Sequence, residues 1–300
     1  MTPLESVAER ASRGDLLTDE DARVVLESRD LIAVGAMADD LRRRQHGART
    51  TFVRVFEIHV DAPPVSLPAT VTAGEFRIVG EPASVDAAAA VVRRAAELSN
   101  GIPVTGFALD ELQALAGAER RPLGEICGVL REAGLDGIAE VAVDTGQASD
   151  RDDAIGQARS AGLWAVRLTV RSITPEDRVL VAAGARDLQA RLGGFRTFAP
   201  LPRRQSVTQP STGYDDVKQI ALARLLVANI ASIQVDWALY GPKLAQVALT
   251  IGADDVDAVS AIEPGLLGVR RSAIEEIRGN IRAAALEPAE RNARFEITGA

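Results

Sequence analysis

Residues Gly213–Asp257 read GYDDVKQIALARLLVANIASIQVDWALYGPKLAQVALTIGADDVD, a stretch in which helical and extended patterns alternate. The spacing of its apolar residues predicts a helix over Gln219–Ala231, a strand over Ile233–Leu239 and a second helix over Pro242–Ile251. A strand flanked by helices is the repeating unit of parallel α/β sheets. This stretch therefore predicts an α/β fold.

The same alternation extends through the rest of the chain. The first 47 residues read as helices, and β-rich runs separate helical segments from Thr51 onward. This order predicts parallel βαβ units and a (β/α) TIM-like barrel over residues 48–300, preceded by an N-terminal helical segment over residues 1–47. The other predicted strands are Thr51–Val60, Phe76–Gly80, Val104–Phe107, Ile138–Asp144, Trp164–Arg171 and Phe195–Phe198, the other predicted helices are Val85–Leu98, Asp110–Ala116, Glu125–Ala133, Asp152–Ala161, Pro175–Leu192 and Arg271–Ala285, and Pro200–Gly213 is predicted to be a long loop.

Composition restricts the classes of function. The net charge of −8 disfavours binding to nucleic acid or to an anionic membrane, because both need a basic protein face. The apolar fraction of 47% supplies a core, yet no stretch reaches the ~20 apolar residues of a membrane span. Met1–Asp21 is charged throughout, so we expect no secretory signal and a cytoplasmic location.

The stretch Gly213–Asp257 resembles the C-terminal part of the radical S-adenosylmethionine enzymes of the futalosine route to menaquinone. That group includes aminofutalosine synthase, cyclic dehypoxanthine futalosine synthase and FO synthase, and the resemblance implies a TIM-like barrel. Further motifs occur in the order in which that family has them. They are Asp40–Val53 (DLRRRQHGARTTFV), Gly74–Gly80 (GEFRIVG), Phe107–Leu115 (FALDELQAL), Leu130–Ile138 (LREAGLDGI), Thr174–Val179 (TPEDRV) and Gly193–Leu201 (GGFRTFAPL).

The resemblance also implies an iron–sulfur cluster, held by three cysteines on a loop after the first barrel strand. This chain has one cysteine, Cys127, and one thiolate cannot replace three cluster ligands. Only about 16 residues separate His59 from Glu75, and three of them are prolines, so a helix is not expected there. We therefore expect a degenerate member of the family without the cluster loop, with no cofactor and no metal site.

Other departures from the family fall where it binds cofactor and substrate. The family's Gly-Gly-Gly-Ala-Glu segment corresponds to Glu140–Asp144, where bulkier residues replace glycines that allow close backbone approach. The family's His and Glu before the PEDR motif correspond to Arg171 and Ile173. The shortened first crossover predicts an open or partial barrel, whose exposed strand surface either the N-terminal helices or a partner would cover.

Acid–base residues are predicted at the carboxyl ends of the strands, where barrel enzymes place their active sites. Glu57 and His59 share one face of the first predicted strand and form a candidate acid–base pair, with a solvated or structural histidine as the alternative. Gln234 and Asp236 share a face of a later strand, with Val235 and Trp237 opposite. The candidate catalytic residues are Glu57, His59, Asp144, Arg171 and Asp236.

A charged barrel interior is a candidate ligand site. Glu140 and Asp144 alternate on one predicted strand, and Arg167 and Arg171 alternate on another. Buried charges must be paired, wet or ligand-bound, so internal salt bridges are the alternative to a ligand. Arginines at a strand end suit carboxylate or phosphate groups, and a solvated basic loop is the alternative. The candidate ligand-binding residues are Glu140, Arg167, Arg196, Arg203, Arg204 and Gln234.

Three further residues or motifs are expected to be structural. Cys127 lies beside Ile126 and Leu130 in a predicted helix and reads as a buried thiol. His46 follows a predicted helix and is expected to interact with its dipole. Gly252–Asp255 is expected to end one helix and cap the next element.

Two functions from different classes follow from these residues. The first is a catalytically degenerate paralogue that acts by binding in or near menaquinone biosynthesis. It would be a ligand-binding protein, or a hetero- or homo-oligomer with an intact radical S-adenosylmethionine paralogue. The second is a non-radical enzyme that uses the barrel pocket for a small anionic or nucleoside-like substrate. We favour the first, because no nucleophile, base and electrophile occur in a recognised order.

Overall fold

The structure is a computed structural model that describes residues 2–204, 212–262 and 274–298. Helices and strands alternate along most of it, as the sequence predicts. The helices are α1 (Pro3–Arg13), α2 (Asp19–Glu27), α3 (Leu31–His46), α4 (Val85–Ser99), α5 (Leu109–Glu119), α6 (Leu123–Ala133), α7 (Ala148–Ser160), α8 (Arg178–Leu192), α9 (Gly213–Leu226), α10 (Trp237–Leu249) and α11 (Ile274–Ala283). The strands are β1 (Arg49–His59), β2 (Glu75–Val79), β3 (Val104–Ala108), β4 (Gly137–Ala142), β5 (Trp164–Ala165), β6 (Arg167–Val170), β7 (Thr197–Pro202), β8 (Ser232–Asp236), β9 (Asp255–Ser260) and β10 (Glu287–Glu290).

Side-chain caps determine where several helices begin. Before α2, the Thr18 hydroxyl accepts the backbone N–H of Asp21, and the Asp21 carboxylate accepts the backbone N–H of Thr18. Before α4, the Ser84 hydroxyl accepts the backbone N–H of Ala87 at 3.1 Å. Each cap satisfies N–H groups that the helix itself leaves without an acceptor.

The chain divides into two compact units, which are described separately. The β2–β4 unit comprises Val53–Arg167, Ala258–Ala273 and Glu290–Ala300. The β7–β9 unit comprises the remainder of the chain: Met1–Phe52, Leu168–Asp257 and Ile274–Ala289.

The β2–β4 unit is built on parallel strands that pair in sequence order. β1 pairs with β2, β2 with β3 and β3 with β4, and β5 adds to β4. Phe56 and Phe76 are register partners whose rings lie 5.2 Å apart in the core. Gly137 begins β4 where an added Cβ atom would lie 1.4 Å from the Trp164 indole nitrogen, so only glycine fits between these neighbouring strands.

The β7–β9 unit contains three parallel strands in sequence order, with helices α3, α8 and α9 packed against one another or against β7. One buried polar contact of this unit involves Arg224 of α9. The Arg224 guanidinium donates to the Gly252 carbonyl at 2.8 Å and the Gln45 Oε1 atom at 2.5 Å, and it forms an ion pair with Asp254. The sequence predicts only that the segment Gly252–Asp255 ends a helix and caps the next element. In the structure this segment also binds Arg224 of α9, which in turn binds Gln45 of α3.

The order of the parallel strands is that of a (β/α) barrel, the predicted fold class. The expected opening is not found at β1, because this strand is hydrogen-bonded along both edges. Thr51 donates to the Asp254 carbonyl at 2.9 Å, Ala261 donates to the Val55 carbonyl at 3.1 Å, and β2 pairs with the opposite edge.

The connection between β1 and β2 contains no helix, as its prolines predict. It is held instead as an irregular strap of turns and bends within the β2–β4 unit. Arg94 of α4 donates to the Pro64 carbonyl at 3.0 Å, and the backbone of Thr72 donates to the Ala261 carbonyl at 3.0 Å. Near the start of β2 the C-terminal segment covers the strap, since Ala293 donates to the Gly74 carbonyl at 3.1 Å.

Several predicted boundaries are wrong. β7 continues to Pro202, so the predicted loop Pro200–Gly213 begins later, and its residues 205–211 lie outside the described ranges. β8 ends at Asp236 because that side chain caps α10, so Trp237 is helical and does not lie on a strand face. The predicted helix Arg271–Ala285 is observed as α11, and its first three residues lie outside the described ranges. β9 and β10 were not predicted.

Three helices occupy the segment 1–47 that was predicted to be helical. Within the described part of the chain, no helix combines the length and the apolar character that crossing a lipid bilayer requires.

Candidate functional site

Glu57 and His59 lie at the carboxyl end of β1, as predicted. Both side chains are exposed. Neither forms a hydrogen bond or an ion pair with any residue in the described ranges, so the two are not hydrogen-bonded to each other. Among the described residues the predicted acid–base pair is therefore not assembled, because no hydrogen bond there orients the imidazole.

A buried ionic cluster lies on β2, β3 and β6 of the β2–β4 unit, and we call it the Glu75 cluster. Arg77 donates to both Glu75 carboxylate oxygens, through Nε at 2.8 Å and through a terminal nitrogen at 2.9 Å. Thr105 donates to the same carboxylate at 2.6 Å, and Arg167 donates to it at 3.3 Å. All four side chains are buried. Arg167, a predicted ligand-binding residue, is thus held in an internal salt bridge, the alternative that the sequence left open.

The predicted pair Glu140 and Asp144 does not share a strand. β4 ends at Ala142, so Asp144 lies in the following turn, where its side chain is exposed. Glu140 is half-buried on β4. A glycine two residues after Asp144 turns the chain away from the strand direction before α7 begins.

A second ionic cluster lies where β7 and β8 end beside the first half of β9 in the β7–β9 unit, and we call it the Arg203 cluster. The Arg203 guanidinium lies 2.5 Å from an Asp236 carboxylate oxygen and 3.9 Å from one of Asp257. Asp236 and Asp257 are register partners on adjacent parallel strands, which places both carboxylates on one face. Tyr240 of α10 donates its hydroxyl to the Pro202 carbonyl at 2.6 Å.

The Tyr240 phenol remains protonated in this setting. Burial raises its pKa above the ordinary value, and the nearby Asp216 and Asp236 carboxylates add to the rise. A protonated phenol that donates to a backbone carbonyl is a fixed structural donor. The Arg203 cluster therefore combines one guanidinium, two carboxylates and a neutral phenol in a largely buried setting.

Gln234 is buried on β8, two residues before Asp236. Its amide nitrogen donates to an Asp255 carboxylate oxygen at 2.6 Å, and the Thr51 hydroxyl donates to the other Asp255 oxygen at 2.5 Å. The Gln234 carbonyl oxygen has no hydrogen-bond partner within the described ranges. A buried acceptor of this kind requires water or a ligand donor, and the binding role of Gln234 stays a prediction.

Three arginines predicted to bind a ligand, Arg196, Arg203 and Arg204, do not converge on one site. Arg196 precedes β7 and Arg203 follows it, so at about 3.3 Å per residue they lie ~20 Å apart along the strand. Arg204 is exposed and lies beside Arg171, since the Arg204 N–H donates to the Arg171 carbonyl at 2.9 Å. Arg171 is half-buried just after β6. Arg196 is therefore separate from the others, whereas Arg203, Arg204 and Arg171 gather near the carboxyl ends of β6 and β7.

Sequence reasoning missed Glu75, Arg77, Asp255 and Asp257. The signal for the first two was present, because charged residues two positions apart in GEFRIVG share one face of a strand. The acids of GADDVDAV did not read as a strand, because aspartate is depleted in strands.

The residues present do not fit the iron–sulfur cluster that the family resemblance implies. Such a cluster needs several thiolates, and the one cysteine, Cys127, lies fully buried in α6. Burial raises the pKa of its thiol to about 11, so the thiol is protonated at neutral pH. The connection from β1 to β2 carries no cysteine, and within the described ranges no three His, Cys, Asp or Glu residues converge as metal ligands.

Comparison with solved structures defines the fold class. Methylornithine synthase superposes with a TM-score of 0.66 at 17% identity, over 96% of this chain and 98% of that protein. The hydrogenase maturase HydG superposes with a TM-score of 0.66 at 15% identity, over 96% of this chain and 76% of that protein. At these identities the likeness establishes the fold, a TIM-like (β/α) barrel.

Sequence comparison then identifies the group of proteins that the chain resembles. Residues 195–299 match the family described as the CofH/MqnC C-terminal region. Aminodeoxyfutalosine synthase of Thermus thermophilus is 26% identical, over 84% of this chain and 82% of that protein. The same enzyme of Streptomyces coelicolor is 34% identical, over 41% of this chain and 37% of that protein. The chain thus resembles the futalosine-pathway radical S-adenosylmethionine enzymes, although it spans less than half the length of the Streptomyces relative.

Proposed function

We propose that this chain is a catalytically degenerate relative of the futalosine-pathway radical S-adenosylmethionine enzymes and that it acts by binding, in or near menaquinone biosynthesis. The observation that carries the proposal is the connection Val60–Gly74. In the family this position holds a cysteine loop and a helix. Here it is a strap without cysteine or helix, fixed to the β2–β4 unit by Arg94 and by backbone hydrogen bonds.

The side chains at the strand ends support binding rather than turnover. Glu57 and His59 are not joined by a hydrogen bond, and Tyr240 is held protonated by burial. Gln234 on β8 instead offers a buried carbonyl oxygen without a hydrogen-bond partner in the described ranges, and Arg203 lies after the neighbouring strand β7. The Gln234 oxygen suits an N–H donor, which a nucleoside-like ligand supplies.

The first experiment tests for the absence of radical chemistry. The protein is incubated anaerobically with iron and sulfide, its iron content is measured, and S-adenosylmethionine is titrated by calorimetry. We expect no stoichiometric iron and no cofactor binding. A brown protein with near-stoichiometric iron that binds S-adenosylmethionine would overturn the proposal.

A second experiment tests the partner. The chain is co-expressed with an intact futalosine-pathway radical S-adenosylmethionine enzyme from the same genome, and one of the two carries an affinity tag. We expect co-purification at a fixed ratio, unchanged by Asp144→Ala or Arg171→Ala. Loss of a measurable turnover on those substitutions, with the fold retained, would identify an enzyme instead.

A further inference from the structure

A cavity of about 420 Å³ opens at the amino ends of β2 and β3, within the β2–β4 unit. This end of the strands is opposite to the carboxyl ends where Glu57 and Asp144 lie. Nothing in the proposed function uses it. The volume lies within the range of roughly 300–1,000 Å³ that small-molecule sites occupy.

A charged pair forms the polar wall of the cavity. The Arg54 Nε atom donates to a Glu290 carboxylate oxygen at 2.6 Å, and the two side chains are only 11% and 14% exposed. Within the described ranges, this is the only side-chain hydrogen bond of either residue. The terminal nitrogens of Arg54 and the second oxygen of Glu290 are thus available to a ligand, and partial burial strengthens charged hydrogen bonds.

Apolar residues also line the cavity and leave room for a side chain. Ala73, Ile102 and Pro103 line it, and Gly74 and Gly101 add no side-chain atoms to the space. The site therefore joins one donor fork, one carboxylate acceptor and an apolar wall.

We propose that this cavity binds a small zwitterion, an α-amino acid with an apolar side chain. Its carboxylate lies on the terminal nitrogens of Arg54, its ammonium group lies on the free oxygen of Glu290, and its side chain packs on Ile102 and Pro103. The arginine–glutamate pair is neutral overall, so a zwitterion matches both charges. A simple anion would be repelled by Glu290, and a simple cation would be repelled by Arg54.

The test uses L-leucine, L-methionine and L-phenylalanine as probes in a calorimetric or NMR titration of the full chain. The comparison compounds are 4-methylpentanoic acid, which lacks the amine, and 3-methylbutylamine, which lacks the carboxylate. We expect at least one amino acid to bind ~10-fold or more tightly than both, because each comparison compound loses one charged hydrogen bond. Absence of binding by all three probes, or equal binding of the comparison compounds, overturns the proposal.

Three substitutions locate the site. Thr72 lines the cavity with an exposed side chain that makes no hydrogen bond within the described ranges, so Thr72→Phe should fill the space without unfolding the chain. Thr70→Phe is the matched control, since Thr70 is exposed and does not line the cavity. We expect binding to be lost in Thr72→Phe and kept in Thr70→Phe. Arg54→Met should weaken binding ~10-fold or more if it folds. Equal affinity of the two threonine variants would refute the location.

Discussion

Replacing Glu75 by glutamine should strongly destabilise the protein, although it keeps the shape of the side chain. Glu75 is fully buried and accepts hydrogen bonds from Arg77 at 2.8 and 2.9 Å, Thr105 at 2.6 Å and Arg167 at 3.3 Å. Glutamine keeps one acceptor oxygen and presents an amide to an arginine. It also removes the negative charge that compensates two buried guanidinium groups.

The expected size of this effect follows from the burial of the cluster. Breaking a buried ion pair by removing one partner costs about 3–5 kcal/mol, because the remaining charge loses both water and counter-charge. A domain is typically stable by about 5–15 kcal/mol, so the variant should lose a large fraction of its stability. Glu57→Gln is the matched control, because Glu57 lies on the adjacent strand but is exposed, and its cost should stay within about 0.5 kcal/mol.

Urea unfolding followed by far-ultraviolet circular dichroism measures both variants. We expect the midpoint of Glu75→Gln to fall well below that of the native chain and of Glu57→Gln, with the slope unchanged. If Glu75→Gln unfolds at the midpoint of the native chain, the cluster contributes no net stability. The interpretation of Arg167 as a structural residue would then be wrong.

Three further outcomes follow from single groups. Gly137→Ala should cost about 2 kcal/mol or more in urea unfolding and shift the fluorescence of Trp164, because an added Cβ atom overlaps the indole. Gly128→Ala in α6 is the control: its added Cβ atom meets no atom within 4 Å, so it should be neutral or stabilising in the same unfolding experiment. Burial raises the pKa of the Cys127 thiol to about 11, so this thiol should resist iodoacetamide at pH 8 in the native state and react after unfolding. The protonated thiol favours the folded state below the ordinary thiol pKa, and this contribution to stability is lost as the pH rises through about 11. Asp236→Asn keeps an α10 cap but loses the charge that faces the neighbouring arginine, so it should cost about 1.5–3 kcal/mol by urea unfolding, and a cost equal to zero would contradict a stabilising Arg203 cluster.

Local chemistry explains why many elements could be predicted. Thr18 and Ser84 cap helices through residues three positions away, and the prolines after His59 exclude a helix wherever that segment lies. These preferences act over a few residues, so they can be recognised from the sequence alone. The fold class followed because alternating patterns of this kind have few ways to bury their apolar faces.

Strand β9 shows where local patterns fail. Asp255 and Asp257 disfavour a strand in isolation, yet both are buried there. Thr51 and Gln234 bind Asp255, and Arg203 lies near Asp257. Those partners come from other strands, so the cost of burying the acids is offset only after the strands have paired.

The candidate sites divide in the same way. Short-range patterns were enough to specify that charges would line certain strand faces, because side chains alternate every two residues. Which charges neutralise one another depended on long-range pairing, since Arg167 meets Glu75 from 92 positions away and Glu290 meets Arg54 from 236 positions away. An ion pair between distant residues forms only where folding brings them within a few ångströms, and no local preference encodes that distance.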